Sequence, residues 1–201
     1  MKNDKQTCPW PKGDPLLTKY HDKEWGVPLH NDRKLFEFLI LEGFQAGLSW
    51  LTILKKRENF RKAFDYFDFN KIAGYDEQKK KSLLNDGGII RNRLKIESAI
   101  GNAKAFIEVR KEFGTFNKYI WKFTGGRPIH NGFESITEIP ARTKLSDLIS
   151  KDLKKRGFKF VGSTIVYAHM QATGMVNDHI KSCFRYKEIM KKYDPLSIHN
   201  V

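Results

Sequence analysis

Apolar residues recur at intervals of three and four along almost the whole chain, the spacing of helices with one buried stripe. No run alternates with period two for long enough to suggest a sheet, so the pattern predicts an all-α bundle. Asp14 caps a helix that opens with Pro15 and runs through about Glu24. Asn31-Asp32 caps a second, to about Ala46, and Ser49 a third carrying Trp50, Leu54, Phe60 and Phe64. Asp76 opens a short helix ending at Gly87-Gly88. A long one spans about Asn92 to Phe113 before Gly114, and Thr115 starts another that stops at Gly125-Gly126. With Pro128, Asn131-Gly132 and Pro140, the stretch from Arg127 to Lys144 reads as a loop. Helices follow over about Ser146–Arg156 and Ser163–Thr173, with a last one after Asn177.

One position breaks the pattern. In the second helix the stripe runs Leu35, Phe38, Leu39, Glu42 and Ala46, which puts a carboxylate on the inward face. A buried carboxylate needs a partner or a cavity. Gly43 and Gly47 permit a tight turn before Trp50, and Tyr20 and Trp25 lie upstream in YHDKEWG. These residues could wall a pocket for a flat, polar or cationic ring. Equally, Glu42 could pair with an arginine and the rings could be core.

Charge narrows the class of partner. Lys and Arg total 37 against 23 acidic residues, a net charge of +14, which suggests a polyanion such as nucleic acid. No basic helix carries a wide apolar face for a membrane surface. No run of about 18 apolar residues could span one, and the start, MKNDKQTCPW, lacks the apolar stretch of a secretory signal. A cytoplasmic location is expected. The segment LKKRGFKFVGSTI concentrates the positive charge. Gly157 ends one helix, and Gly162 precedes Ser163 at the start of the next, a helix-hairpin-helix whose free N–H groups would face a phosphate. Lys151, Lys154, Lys155, Arg156 and Lys159 surround that turn. Such a site would grip a DNA backbone without reading sequence; an ordinary hairpin with a solvated basic face is the alternative.

The two cysteines, Cys8 and Cys183, lie near opposite ends, each with a histidine nearby: His21, and His179, which with Cys183 stands at i and i+4 on one helical face. A Cys₂His₂ set matches tetrahedral zinc, and four protein ligands leave no open position, so such a zinc would be structural. The spacing is not that of a zinc finger, and unrelated thiols and histidines remain the alternative.

The blocks YHDKEWGVP, LEGFQAGLSWLTILKKRENF, GIIRNRLKI, LKKRGFKFVGSTI and VNDHIKSC stand in this order between Cys8 and Cys183, nearly the whole chain. With them the sequence resembles the DNA-3-methyladenine glycosylase I family, within the helix-hairpin-helix group of DNA glycosylases. The resemblance implies one glycosylase domain over 1–201, with a terminal zinc-binding lobe from 1–30 plus 174–201 and a helical lobe over 31–173. It implies that Glu42 accepts hydrogen bonds from the methylated adenine, Tyr20 assists, Trp50 stacks on the base and Trp25 helps wall the pocket. Gly47-Leu48 would probe the gap left in double-stranded DNA. Gly157, Gly162 and Ser163 would hold a phosphate. Cys8, His21, His179 and Cys183 would bind one structural Zn²⁺ per chain.

Two departures bear on the chemistry. Many members of the wider group carry an Asp in a V-D-x-H stretch; here it reads Val176-Asn177-Asp178-His179, and Asp178 is expected to cap the helix start. Lyase-type members carry a Lys where this chain has Thr164. The expected reaction is hydrolytic removal of 3-methyladenine by a monomer, without strand cleavage. N3-methylation leaves the base positively charged, so it departs neutral without being protonated, and an ionised Glu42 would favour it over neutral adenine. A non-catalytic damage-binding protein on the same scaffold, or a plain helix-hairpin-helix DNA-binding or structural module, would share most of these features.

Overall fold

The computed structural model describes residues 6–193 of the chain. It is mostly helical: α1 (Pro15–Lys23), α2 (Asp32–Gln45), α3 (Trp50–Ala63), α4 (Phe69–Ala73), α5 (Glu77–Asn85), α6 (Arg93–Phe113), α7 (Phe116–Trp121), α8 (Lys144–Lys155), α9 (Ser163–Ala172) and α10 (Phe184–Tyr193). The side chains of Asp14, Asn31, Ser49, Asp76, Asn92 and Thr115 each accept from backbone N–H groups of the first turn, as their positions predicted. Among the described residues no helix is long and apolar enough to cross a membrane.

α2 is the central helix. Every residue from Leu35 to Phe44 is buried, not only one stripe. One side meets a large aromatic core in which Phe106 meets Phe36 edge to face at 5.0 Å between centroids and stacks on Phe116 at 4.2 Å. A second, smaller cluster holds Cys8, Tyr20, Trp25, Phe38, Leu54, Ala172, Ile180 and Cys183. It forms where residues 8–25 and 180–183 meet α2, α3 and α9.

That closure depends on close backbone approach. Gly26 N donates to Gln171 O at 2.9 Å and Leu29 N to Thr173 O at 3.0 Å. Gly174 has φ +68°, and a Cβ there would lie 2.3 Å from Val27 C and Pro28 N, so only glycine fits.

Several expectations are corrected. Residues 129–130 and 176–177 pair as short parallel strands, β1 (Ile129–His130) and β2 (Val176–Asn177), pinning the 127–143 loop beside the segment after α9. Two-residue strands have no period to detect. The last helix starts at Phe184 rather than just after Asn177, so His179 and Cys183 sit on a turn and not on one helical face. Asp178 therefore caps no helix. α5 stops at Asn85, before Gly87-Gly88. α4 was not anticipated; it follows a left-handed turn in which Asp65, Tyr66 and Phe67 have φ of 49°, 53° and 57°. The anticipated terminal lobe extends into residues 1–5 and 194–201, which lie outside the described residues.

Candidate functional site

A cavity of about 390 Å³ opens between α1, α2, α9 and the 127–143 loop, lined by Trp10, Tyr20, Trp25, Glu42, Gln45, Trp50, Ile136, Ile139, Ala168 and Gln171. Its size suits a purine-sized ring. Tyr20, Trp25, Glu42 and Trp50, singled out from the sequence, all meet here. Trp10 packs edge-on to Trp25 at 5.2 Å and to Tyr20 at 6.3 Å, and Tyr20 leans on Trp50 at 5.4 Å.

Glu42 is 4% exposed, and among the described residues no side chain or backbone group hydrogen-bonds or ion-pairs with its carboxylate. The arginine partner considered for it is absent. Burial alone pushes its carboxyl up to about 8. Burial, and then the Glu42 charge, push the Tyr20 phenol well above its ordinary range. A poorly solvated acid facing an aromatic cavity binds a ring that brings positive charge or N–H donors.

The chain after Glu42 is held stiffly. Lys95 Nζ donates to Phe44 O at 2.8 Å and Ala46 O at 2.7 Å, satisfying carbonyls at the C-terminal end of α2. Gln45 Nε2 donates to Leu48 O at 2.7 Å. Gly47, with φ +81°, makes the turn, and Leu48 after it is 38% exposed. Ser49 then caps α3, which begins with Trp50.

Cys8, His21, His179 and Cys183 come together, all buried, with one ligand atom from each within 4.8 Å of the others. His179 Nδ1 lies 3.1 Å from His21 Nε2 and 3.6 Å from both Cys8 Sγ and Cys183 Sγ, and His21 Nε2 is 3.5 Å from Cys183 Sγ. A tetrahedral zinc with bonds of roughly 2.0–2.3 Å separates its ligands by about 3.3–3.8 Å, so the donor set fits. The outward nitrogens are occupied: His21 Nδ1 bonds Asp22 Oδ1 at 2.7 Å and His179 Nε2 bonds Trp25 O at 3.0 Å. These partners leave His21 Nε2 and His179 Nδ1 as the facing lone pairs. Hydrogen bonds from Cys8, His179 and His21 hold the Cys183 thiol far below an ordinary thiol.

α8 and α9 pack against each other across a short turn. Gly157 has φ +89°, Gly162 caps α9 without a side chain, and Lys151, Lys154, Lys155 and Lys159 are exposed around it. Arg156 differs: it is engaged with Glu112 at 2.6 Å and Asp152 at 2.7 Å. The Ser163 hydroxyl pairs with that of Ser146 at 2.7 Å, tying the two helices together.

Asn177 is fully buried in β2, outside the cavity, where its Nδ2 donates to Tyr186 O at 3.2 Å. Asp178 is buried and accepts from Asn131, Tyr167 and Gln171. Sequence reasoning missed Trp10, Gln45, Ile136, Ile139, Ala168 and Gln171 as cavity walls, and Lys95. Gln45 and Lys95 sat within blocks already singled out, though not as site residues; the rest arrive from distant segments with no local pattern.

Comparison with known proteins points one way. The family described as methyladenine glycosylase matches residues 10–186. The chain is similar to DNA-3-methyladenine glycosylase 1 of Escherichia coli (strain K12), at 49% identity over 181 residues, 90% of this chain and 97% of that protein. Its fold is similar to a crystal structure of 3-methyladenine DNA glycosylase I, with TM-score 0.87 and 51% identity, covering 89% of this chain and 98% of that one. It is also similar to the Staphylococcus aureus glycosylase solved for the structural basis of its 3-methyladenine recognition, with TM-score 0.86 and 35% identity, covering 89% and 95%.

Proposed function

This chain belongs to the methyladenine glycosylase family, and from that premise we propose that it excises 3-methyladenine from double-stranded DNA by hydrolysing the N-glycosidic bond. The observation that carries the reading is Glu42, a buried acid without a protein partner at the wall of a purine-sized aromatic cavity.

The lesion is cationic in DNA. Flipped into the cavity, it stacks on Trp50, with Trp25 and Trp10 closing the sides and Tyr20 beside it. Its charge restores the ionised form of Glu42, which then accepts from the base. Neutral adenine lacks that charge and meets an acid held near pH 8. The base leaves neutral, so the protein's work lies in extracting, selecting and orienting it. Leu48, on its braced turn, fills the space the base vacates. The Gly157–Gly162 hairpin and its lysines hold the DNA backbone, so binding weakens steeply with salt. Thr164 offers no amine for a Schiff base, and the strand stays intact.

Cys8, His21, His179 and Cys183 would hold one structural zinc, which would supply a cross-link between distant segments. His21 and His179 stand 158 residues apart in the chain, and a metal-bound His179 would hold Trp25 at the cavity wall through the Trp25 carbonyl. Metal analysis of freshly purified protein should give one zinc per chain. Metal-free protein that is fully folded contradicts this role.

The function is tested by incubating the protein with methylated duplex DNA and chromatographing the released bases. Free 3-methyladenine and an alkali-labile but uncut strand are expected. Lesion binding without release would instead make the protein a damage-binding scaffold.

A further inference from the structure

Gln171 lines the same cavity as Glu42, and a buried acid sets the direction of its amide. Asp178, 1% exposed, accepts three hydrogen bonds: from Asn131 Nδ2 at 2.6 Å, from the Tyr167 hydroxyl at 2.7 Å and from Gln171 Nε2 at 2.8 Å. A carboxylate only accepts, so it determines which end of the Gln171 amide turns toward it. The NH₂ is taken up by Asp178. The oxygen, Oε1, has no partner among the described residues. The backbone of Gln171 is held as well, since its carbonyl accepts from Gly26 N at 2.9 Å.

Resting on the base-excision reading above, we infer that Gln171 is a selectivity residue. Its Oε1 is a fixed hydrogen-bond acceptor in the base cavity, and Asp178 is the positioning residue that keeps the amide from turning over. Together with Glu42 it gives the cavity two acceptors. A 6-amino purine brings N–H donors to them. A 6-oxo purine sets a carbonyl oxygen against them, and an amide free to rotate could relieve that repulsion by presenting its NH₂. Locking the amide removes this escape. The pocket therefore discriminates adenine-type from guanine-type lesions by repulsion as well as by attraction.

The test is the ratio of 3-methyladenine to 3-methylguanine released from one methylated DNA sample. Both lesions compete for the same molecules, so the ratio does not depend on how much of a variant is folded. Gln171→Met keeps the length of the side chain and removes the acceptor, and should lower the ratio at least tenfold. Asp178→Asn no longer fixes the amide, and should lower it at least threefold in the wild-type background and no further in the Gln171→Met background. An unchanged ratio in Gln171→Met, or a loss shared equally by both lesions, overturns the selectivity role. A further fall in the double variant overturns the positioning role of Asp178. Should the variants not fold, wild-type protein can be inhibited with free 3-methyladenine or free 3-methylhypoxanthine, which carry an amino and an oxo group at position 6. At least tenfold stronger inhibition by the first is expected, and equal inhibition overturns the inference. If the wild-type protein releases neither base, the excision reading itself falls, a result distinct from all of these.

Discussion

Two glutamates five residues apart on α2 are both buried and are treated in opposite ways. Glu37 is gripped by Arg57 at 2.7 Å and Arg61 at 2.9 Å, and Arg57 reaches on to Glu24 at 2.7 Å. Against its own burial, Arg57 is held above its ordinary value by these two acids. Glu42 has no such partner and faces a cavity. The protein thus has the means to neutralise an acid on this helix and applies it at one end only. A paired acid is structure. An unpaired one stores a cost in the free protein that a cationic ligand relieves, and this is the arrangement expected of a recognition residue.

The largest expected effect comes from breaking the paired side. Glu37→Gln leaves Arg57 with Glu24 alone and strips Arg61 of its buried partner, and should cost about 3 kcal/mol of stability by urea unfolding. Excision per folded molecule should stay near wild type, and a selective loss of excision would blur the contrast. Next, Trp50→Ala removes the stacking face while leaving the acid unpaired. It should weaken binding of free 3-methyladenine by about 1–3 kcal/mol, read by fluorescence titration; unchanged affinity would place the base elsewhere. A third effect is on stability against pH. Below pH 4.5 Glu42 is protonated in both folded and unfolded chains. Between 4.5 and about 8 the folded protein keeps a proton that the unfolded chain loses. Glu42 therefore lowers stability as pH rises through that window. Glu42→Gln removes the effect, so its unfolding free energy should gain on wild type between pH 5 and pH 8. Parallel curves would show that Glu42 is ionised in the free protein.

Much of this was legible in the sequence, for local reasons. Caps such as Asn31, Ser49 and Thr115 are decided within one turn of helix, and a carboxylate in an apolar stripe stands out wherever it falls. The difference between Glu37 and Glu42 was not legible. α2 is buried on all sides, so the stripe that singled out Glu42 passed over Glu37, and the arginines that separate them come from α3. The four Cys and His residues were identified by type, yet the helical face invoked for two of them is a turn, because donors converge on a point whatever backbone carries them. Ile136, Ile139 and Gln171 reach the cavity through a loop pinned by a two-residue strand pair and through α9. Those are tertiary facts with no local periodicity to announce them.

The central claim is that the unpaired acid recognises the lesion. The most direct measurement compares wild type and Glu42→Gln on the same methylated duplex, with both proteins shown to be folded and released bases quantified by chromatography. The account predicts free 3-methyladenine from the wild type and roughly 10–100-fold slower release from the variant, the loss of one charge-assisted hydrogen bond. Equal rates of release would contradict it.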